Sequence, residues 1–289
     1  MISQGIIIQA TFNWFVLSLI YSLTALAMTF IFSILGVLNF THGAIYMLGG
    51  YIVYYSVVRF GLSYVHGLIL SFLLTGIFGL ALYKGLLKRF RKEHLLALIV
   101  TIGAAYIMES SAYIGFGSQE KQIPSVFSGV INLAGSALSL ERLVVGICAL
   151  ALIFLIFLTI ERTKLGRAMR AVVLDEMAAS LQGINPEIIY LTGMFIGCGL
   201  AGIAGGLTGP VFGISPSMGH LTLINAFIII IIGGLGSFWG AIAGAFVLGF
   251  VTSFGGTFLG GQVAQMINFA ALIFILLVKP TGLIPVVKK

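Results

Sequence analysis

Long runs of uncharged, largely apolar residues recur along this chain, and they restrict its possible folds. A helix that crosses a bilayer needs about 20 such residues, and the sequence offers a succession of such runs separated by short polar breaks. Of the 289 residues, 60% are hydrophobic and 8% are charged, whereas soluble domains carry roughly 25% charged residues. Lipid must therefore be the solvent for most of the chain. We predict an all-α, polytopic transmembrane helical bundle that forms a single domain over residues 1–289.

Hydropathy and polar breaks place the individual spans. The run at 221–254 is interrupted by Gly233-Gly234-Leu235-Gly236-Ser237. It is too long for one comfortable pass, so we predict two passes, or two half-helices, that meet at the glycines. This gives about nine passes, with eight as the alternative, and an external loop at 117–141 that contains Gly and Ser. The other spans are predicted at 11–35, 42–58, 64–87, 95–116, 143–160, 188–211 and 263–278.

Most of the 15 Lys and Arg residues lie in three clusters between spans. By the positive-inside rule, such clusters face the cytoplasm. Nine passes put all three clusters on that side, with the N-terminus outside and the C-terminus in the cytoplasm, whereas eight passes would leave one cluster outside. Because these are loop charges between spans, they do not indicate nucleic-acid binding. The clusters are Lys84, Lys88, Arg89, Arg91 and Lys92; Arg162, Lys164, Arg167 and Arg170; and Lys279, Lys288 and Lys289.

The sequence carries no pattern that is typical of an enzyme or a metal site. It has no GxxxxGK[ST] phosphate-binding loop, so it does not hydrolyse ATP by that route, and it has no His-x-x-x-His or Cys-x-x-Cys pair. Cys148 and Cys198 lie within apolar runs, and we interpret them as small core residues. We predict no catalytic residues, no metal site and no cofactor bound by this chain. The histidines are scattered, at His42, His66, His94 and His220.

The longest polar interruption is the segment 161–186, ERTKLGRAMRAVVLDEMAASLQGINP. Its apolar residues recur at spacings of three and four, which predicts short amphipathic helices. Gly183, followed by Asn185-Pro186, supplies a helix stop signal. A short helix outside the bilayer, with small residues at Ala178 and Ala179, suits docking into a groove of another protein. The pattern alone is equally compatible with an ordinary cytoplasmic loop that contains some helix.

Two polar or glycine-rich breaks within the apolar runs are candidates for a translocation path. Broken helices free backbone groups, which is tolerated at membrane depth only where they line a cavity or are buried in protein. Each glycine could instead serve helix packing alone, and His42 could be a packing histidine with a buried partner. The first break supplies Asn39, Phe40, His42, Gly43, Gly49 and Gly50, and the second supplies Gly233, Gly234, Gly236 and Ser237.

Glu109 is the one carboxylate placed deep in a predicted span. An ionisable residue inside the membrane is costly and often functional, so we include Glu109 in the candidate path. The alternatives are that Glu109 pairs with the nearby hydroxyls of Ser110 or Ser111, or that it lies close to the membrane boundary.

Three blocks of the sequence carry a family resemblance. They are YSLTALAMTFIFSILGVLNFTHGAIYMLGGY at 21–51, TKLGRAMRAVVLDEMAASLQGIN at 163–185 and FIIIIIGGLGSFWGAIAGAF at 227–246. Together they resemble LivH-type permease subunits of branched-chain amino acid ABC importers. The blocks stand in the family's order, and the similarity extends over nearly the whole chain.

The resemblance implies a permease domain with a cytoplasmic coupling helix that inserts into a cleft on an ATP-hydrolysing subunit. It also implies a second homologous permease subunit, two ABC ATPase subunits that bind ATP and Mg²⁺, and a periplasmic or extracellular substrate-binding protein. The expected location is a bacterial or archaeal cytoplasmic membrane. The residues that match the coupling motif are Arg167, Arg170, Asp175, Ala178, Ala179, Gly183 and Ile184.

The implied function is ATP-driven import by alternating access. Branched-chain amino acids are the first expectation for the cargo, and other amino acids, urea, amides and aromatic acids are competitors. A protein of another class, a self-contained channel or an ion-coupled secondary transporter, is the alternative. Glu109 is its clear candidate for a gating or ion-coupling group. A membrane enzyme would need a clustered polar site, and the sequence indicates none.

Overall fold

The computed structural model describes residues 4–91, 93–125, 127, 129–133 and 136–284. Most of this part is helical, because backbone in lipid must find its hydrogen-bond partners within the chain. The helices are α1 (Gln4–Leu35), α2 (Thr41–Val58), α3 (Tyr64–Phe90), α4 (His94–Phe116), α5 (Leu140–Arg162), α6 (Lys164–Leu174), α7 (Glu176–Leu181), α8 (Pro186–Phe212), α9 (Met218–Gly233), α10 (Phe238–Phe258) and α11 (Gly261–Val278).

Seven helices in the described part of the chain are long and apolar enough to cross a membrane, namely α1, α3, α4, α5, α8, α10 and α11. The other two helices in apolar runs, α2 and α9, have 18 and 16 residues. At 1.5 Å per residue, the 16 residues of α9 reach about 24 Å, less than the roughly 30 Å of a hydrocarbon core. Helix α2 is as long as the 18-residue α11 and differs from it by being less apolar. Every predicted span coincides with a helix, which confirms the polytopic bundle. The number of passes stays a prediction.

The glycine-rich break at 233–237 separates α9 from α10, as the sequence predicts. Gly234 and Gly236 have φ values of 112° and 79°, which are accessible to glycine but strained for other residues. The last carbonyls of α9 accept hydrogen bonds from the chain that follows α11. The amide of Leu283 donates to Ile232 at 2.8 Å, and the amide of Ile284 donates to Gly233 at 2.9 Å. The end of α9 is therefore anchored by the C-terminal segment.

The predicted external loop at 117–141 contains a β-hairpin that the sequence did not indicate. Strands β1 (Val130–Leu133) and β2 (Ser136–Ser139) pair antiparallel, with Val130 opposite Ser139. The hydroxyl of Ser136 donates to the Gly5 carbonyl at 2.7 Å, which ties the hairpin to the start of α1. The all-α prediction is confirmed for the bundle, and this small sheet is an addition to it.

Close approach of helices through small residues builds the core. A Cβ atom on Gly49 would overlap the backbone of Gly202, and one on Gly205 would overlap the carbonyl of Tyr46, so α2 and α8 are in backbone contact. Gly79 on α3 meets the side chain of Cys198 on α8 in the same way. Such contacts give dispersion energy where the hydrophobic effect between helices is absent. Helix α8 is consequently the central helix, packed by α1, α2 and α3.

The two ends of the bundle differ in chemistry. At one end Lys88, in the last turn of α3, forms an ion pair with Glu187 at the start of α8, and the α9–α10 turn contacts the C-terminal segment. The opposite end holds the hairpin and a backbone bridge between Lys121 and Ile214. The described members of all three basic clusters therefore share one end. Lys92, Lys288 and Lys289, which were assigned to these clusters, lie outside the described residues.

Candidate functional site

The polar segment 161–186 folds into two short helices, α6 and α7, joined by a corner at Asp175. The first helix begins where the Thr163 hydroxyl accepts a hydrogen bond from the Gly166 amide at 3.1 Å, which is an N-cap. A Cβ on Gly166 would overlap the carbonyl of Ile160, so only glycine permits this turn against α5. The buried residues Met169 and Val172 then anchor α6 on the bundle.

Helix α7 is capped at both ends by its own sequence. Asp175 Oδ1 accepts hydrogen bonds from the amides of Met177 and Ala178, each at 2.9 Å. At the other end Gly183 has a φ of 81°, and the amide of Ile184 donates to the Ala179 carbonyl at 3.1 Å. This is the left-handed glycine termination that the sequence predicts. The chain thereby presents a defined six-residue helix rather than an irregular loop.

The outer face of α7 is apolar. The side chains of Met177 and Leu181, one helical turn apart, are 76% and 83% exposed, and Ala178 between them is also exposed. Ala179 is only 4% exposed, because it packs against the same chain. The sequence placed Ala179 in a docking contact, and the structure corrects this. Its side chain faces the bundle, so a docked protein would touch Ala178 instead.

The basic residues of the segment occupy different positions. Arg170 Nη1 donates to the Ile160 carbonyl at 2.8 Å and lies 3.5 Å from Glu161, so it closes the corner between α5 and α6. Arg167 is exposed on α6. Arg167 is therefore free to meet a partner surface, while Arg170 has a structural contact in its own chain.

Arg91 connects α7 to the rest of the bundle, a link that the sequence analysis missed. Its Nη2 donates to both carboxylate oxygens of Glu176, at 3.0 and 3.2 Å, and its guanidinium lies 4.0 Å from the centre of the Tyr190 ring. Partial burial lowers the pKa of Arg91, but the Glu176 hydrogen bond and Tyr190 raise it by more, so its net pKa is raised. Residues 85 positions apart give no sequence signal beyond their opposite charges.

A cavity of about 400 Å³ lies between α1, α6 and the α9–α10 turn. Gly236 and Ser237 line it together with Met169 and Arg170, and the Ser33 hydroxyl donates to the Gly236 carbonyl at 3.2 Å. The second predicted break therefore stands beside α6, at the same end of the bundle as the basic clusters.

The other two glycines of this break do not border that cavity. A Cβ on Gly233 would overlap the backbone of Gly240, and one on Gly282 would meet the backbone of Gly234. Gly233 and Gly234 therefore serve packing. The two breaks that the sequence grouped into one path lie at different places in the bundle.

The first break opens α2 beside a second cavity of about 280 Å³, which we call the Glu109 cavity. It lies between α2, α4 and α9, and Phe40 and Gly43 line it. Asn39 turns inward, where its Oδ1 accepts hydrogen bonds from the amide and hydroxyl of Thr41, at 3.1 and 2.5 Å. Helix α2 therefore begins beside a cavity, and Asn39 supplies the hydrogen-bond acceptor for the amide of its first residue, Thr41.

Three other residues of the first break do not line the Glu109 cavity. His42 is fully buried; neither ring nitrogen has a well-aligned hydrogen-bond partner among the described residues, although the backbone of Thr24 faces the ring. Gly49 and Gly50 pack against α8 at Gly202 and Gly205. For these two glycines the packing alternative fits the structure.

Glu109 has a partner that the sequence analysis did not consider. Its Oε2 lies 2.6 Å from His220 Nε2 at the start of α9, and the two side chains are 16% and 53% exposed. The hydroxyl of Ser111 instead donates to the Ile107 carbonyl. The proposed pairing with Ser110 or Ser111 is therefore replaced by a side-chain contact between helices, from Glu109 to His220. Glu109 and His220 are 111 positions apart in the sequence, so no local pattern indicates this contact.

Within the described residues no three or more His, Cys, Asp or Glu side chains are grouped so that they could hold a metal ion. The site consists instead of three parts. They are the exposed α7 face with its Arg91 link, the cavity beside Gly236, and the Glu109 cavity. A helical bundle with internal cavities and a structured polar segment at one end has the architecture of a membrane permease.

The chain matches the family described as the permease component of the branched-chain amino acid transport system over residues 10–277, and it belongs to that family. The BraD permease protein of the high-affinity branched-chain amino acid transport system of Pseudomonas aeruginosa is 31% identical, over 96% of this chain and 95% of BraD. The LivH permease protein of Escherichia coli is 29% identical, over 96% of this chain and 95% of LivH. The family resemblance is confirmed.

A solved structure supports the fold alone. The structure of PsaBC from Streptococcus pneumoniae in complex with Fab aligns with a TM-score of 0.52 and 13% sequence identity. The alignment covers 93% of this chain and 91% of the other. The two chains therefore share the bundle architecture at low sequence identity.

Proposed function

We propose that this chain is the membrane-spanning permease subunit of an ATP-driven ABC importer. Its cargo is a branched-chain amino acid or a closely related small solute. The observation that carries the proposal is the α7 helix, which is capped at both ends and presents Met177 and Leu181 outward. Exposed apolar residues one turn apart on a short helix are the pattern of a helix that lies in a partner's groove.

In this proposal α7 docks on an ATPase subunit and transmits its closure. The Arg91–Glu176 ion pair and the Arg91–Tyr190 contact join α7 to the ends of α3 and α8. Because α3 and α8 are packed through glycines such as Gly79, a displacement of α7 moves both helices together. The docking contact must differ in free energy between the two ATPase states, since an equal contact would shift no equilibrium.

The complete transporter would contain a second homologous permease, two ATPase subunits that bind ATP and Mg²⁺, and an external substrate-binding protein. Basic residues face the cytoplasm in membrane proteins, so the end that carries Lys88, Arg167 and Lys279 would be cytoplasmic. The hairpin at 130–139 would then lie outside, where a binding protein docks.

An ion-coupled transporter is the second candidate, and the Glu109–His220 pair favours it. Intramembrane acid and imidazole groups occur in proton relays. The two hypotheses differ in their source of energy. The α7 helix favours the ABC importer, because a self-contained transporter has no need of a docking helix.

Uptake by the purified complex in proteoliposomes tests the proposal. We expect uptake of radiolabelled leucine, isoleucine or valine to require ATP on the α7 side and the binding protein on the other. A protonophore should not reduce that uptake. Uptake by this chain without ATPase subunits, abolished by the protonophore, would replace the proposal with the ion-coupled alternative.

A further inference from the structure

The Glu109 cavity contains chemistry that coupling to an ATPase does not use. Glu109 is the one carboxylate among the described lining residues, and His220 and Tyr106 complete a polar wall. Ile102, Leu223 and Ile224 supply an apolar wall. A small cavity with a few convergent polar groups and apolar walls is the usual form of a ligand site.

We propose that the Glu109 cavity is a binding subsite of the permease for an aliphatic α-amino acid. The Glu109 carboxylate accepts hydrogen bonds from the ammonium group of the ligand. His220 and the Tyr106 hydroxyl donate to its carboxylate, and the aliphatic side chain lies against Ile102 and Ile224. The inference rests on the proposed function and names where this chain contacts the cargo.

Charge selects the ligand class. The Glu109 carboxylate is mostly buried and is paired with His220 at 2.6 Å, and a buried charge that loses its partner is strongly destabilised. An ammonium group can replace His220 as the partner, so the carboxylate stays paired while the ligand enters. A urea or amide brings no charge to replace that partner. An aromatic or other organic anion would lie beside a like charge.

Size and rigidity limit the ligand further. The volume of about 280 Å³ is just below the roughly 300–1,000 Å³ of sites for drug-sized ligands, so one small metabolite fits. Gly43 on α2 and Gly219 on α9 are in backbone contact, since a Cβ on either would overlap the carbonyl of the other. The rings of Phe40 on the α2 side and Phe227 on α9 also meet, in a tilted arrangement with their centroids 4.8 Å apart. The α2 and α9 walls of the cavity are therefore packed directly against each other.

The test uses the complete complex, with its partner permease and ATPases, in lipid nanodiscs without the binding protein. Binding of [³H]leucine is competed with unlabelled leucine, with 2-hydroxy-4-methylpentanoate, which lacks the ammonium group, and with 3-methylbutylamine, which lacks the carboxylate. We expect leucine to compete best and the hydroxy acid worst, because the hydroxy acid offers Glu109 no cation.

Glu109→Gln should weaken leucine binding about 10- to 100-fold, because a charge-assisted hydrogen bond is lost. The matched control is Glu93→Gln at the exposed start of the same helix, where the side chain makes no capping hydrogen bond; it should bind as the wild type. Ala105→Phe, which fills the cavity without changing charge, should abolish binding with assembly retained.

Equal leucine binding by the wild type, Glu109→Gln and Ala105→Phe would overturn the inference. So would tight binding of the hydroxy acid, or ATP-driven leucine uptake by a complex that binds no leucine in the absence of the binding protein. These results leave the proposed function standing. A separate result would contradict the proposed function itself, namely the absence of ATP-driven amino acid uptake even when the binding protein is present.

Discussion

The capping of α7 by Asp175 allows a sharp test of the coupling role. Asp175→Ala removes the acceptor for two amides, each at 2.9 Å, and touches no membrane-embedded residue. Asp175→Asn keeps an acceptor oxygen at the same position and removes only the charge. Because Asn caps helices about as well as Asp, the two variants separate the capping role from a charge interaction with a partner.

The expected loss of α7 stability in Asp175→Ala follows from the geometry of the cap. Loss of an N-cap costs about 0.5–2 kcal/mol, and we expect about 1 kcal/mol here, because Asp175 is exposed and water can replace its carboxylate. Since 1.4 kcal/mol is tenfold in an equilibrium constant, the ratio of folded to unfolded α7 should fall about fivefold. A six-residue helix has little stability of its own, so α7 would then depend on the Arg91–Glu176 pair, the buried Ala179 and its C-terminal hydrogen bond.

Transport per ATP hydrolysed, measured in proteoliposomes, is the assay. Asp175→Ala should lower this ratio several-fold without changing the melting temperature of the bundle, and Asp175→Asn should stay close to the wild type. Wild-type coupling in Asp175→Ala would refute the role of a preformed α7. Equal loss in both variants would show that the charge matters and the cap does not.

Three further predictions concern the link, the outer face and the packing. Arg91→Gln should lower ATP-coupled transport, because both hydrogen bonds to Glu176 and the guanidinium charge are lost. Unchanged transport would contradict the proposal that Arg91 links α7 to the bundle. The Leu181→Glu variant should insert into the membrane normally, but less ATPase subunit should co-purify with it, since a charge enters an apolar docking face. Full recovery of the ATPase would mean that it contacts another part of the permease. Gly205→Ala should destabilise the bundle by about 1–3 kcal/mol through overpacking and reduce the folded yield, whereas Gly103→Ala, with open space at its Cβ, should not. Equal yields would contradict the close packing.

Much of the architecture follows from hydropathy. The helices begin and end near the predicted bounds, because about 20 apolar residues are what a hydrocarbon core requires. The α9–α10 break was predictable because three glycines and a serine within five residues (233–237) cannot continue a helix at full stability. The corner and end of α7 were predictable from Asp175 and Gly183, whose capping roles are local.

Features that depend on distant residues were not predictable. The Glu109–His220 and Arg91–Glu176 pairs join helices far apart in sequence, and nothing local marks the partner. The hairpin at 130–139 is too short and too weakly patterned to distinguish from a loop. The inward position of Ala179 required the orientation of α7, which a six-residue helix does not encode in its periodicity. Of the residues grouped into one candidate path, Phe40, Gly43 and Glu109 border the Glu109 cavity, and Gly236 and Ser237 border the cavity beside α6.

The central claim is that this permease works as one subunit of an ABC complex joined through α7. The most direct measurement is affinity purification of the tagged protein from its native membrane in mild detergent, with every co-purifying chain identified. The account predicts recovery of a second permease and two ATPases, with the ATPases lost from Leu181→Glu. Recovery of this chain alone in several detergents would contradict it.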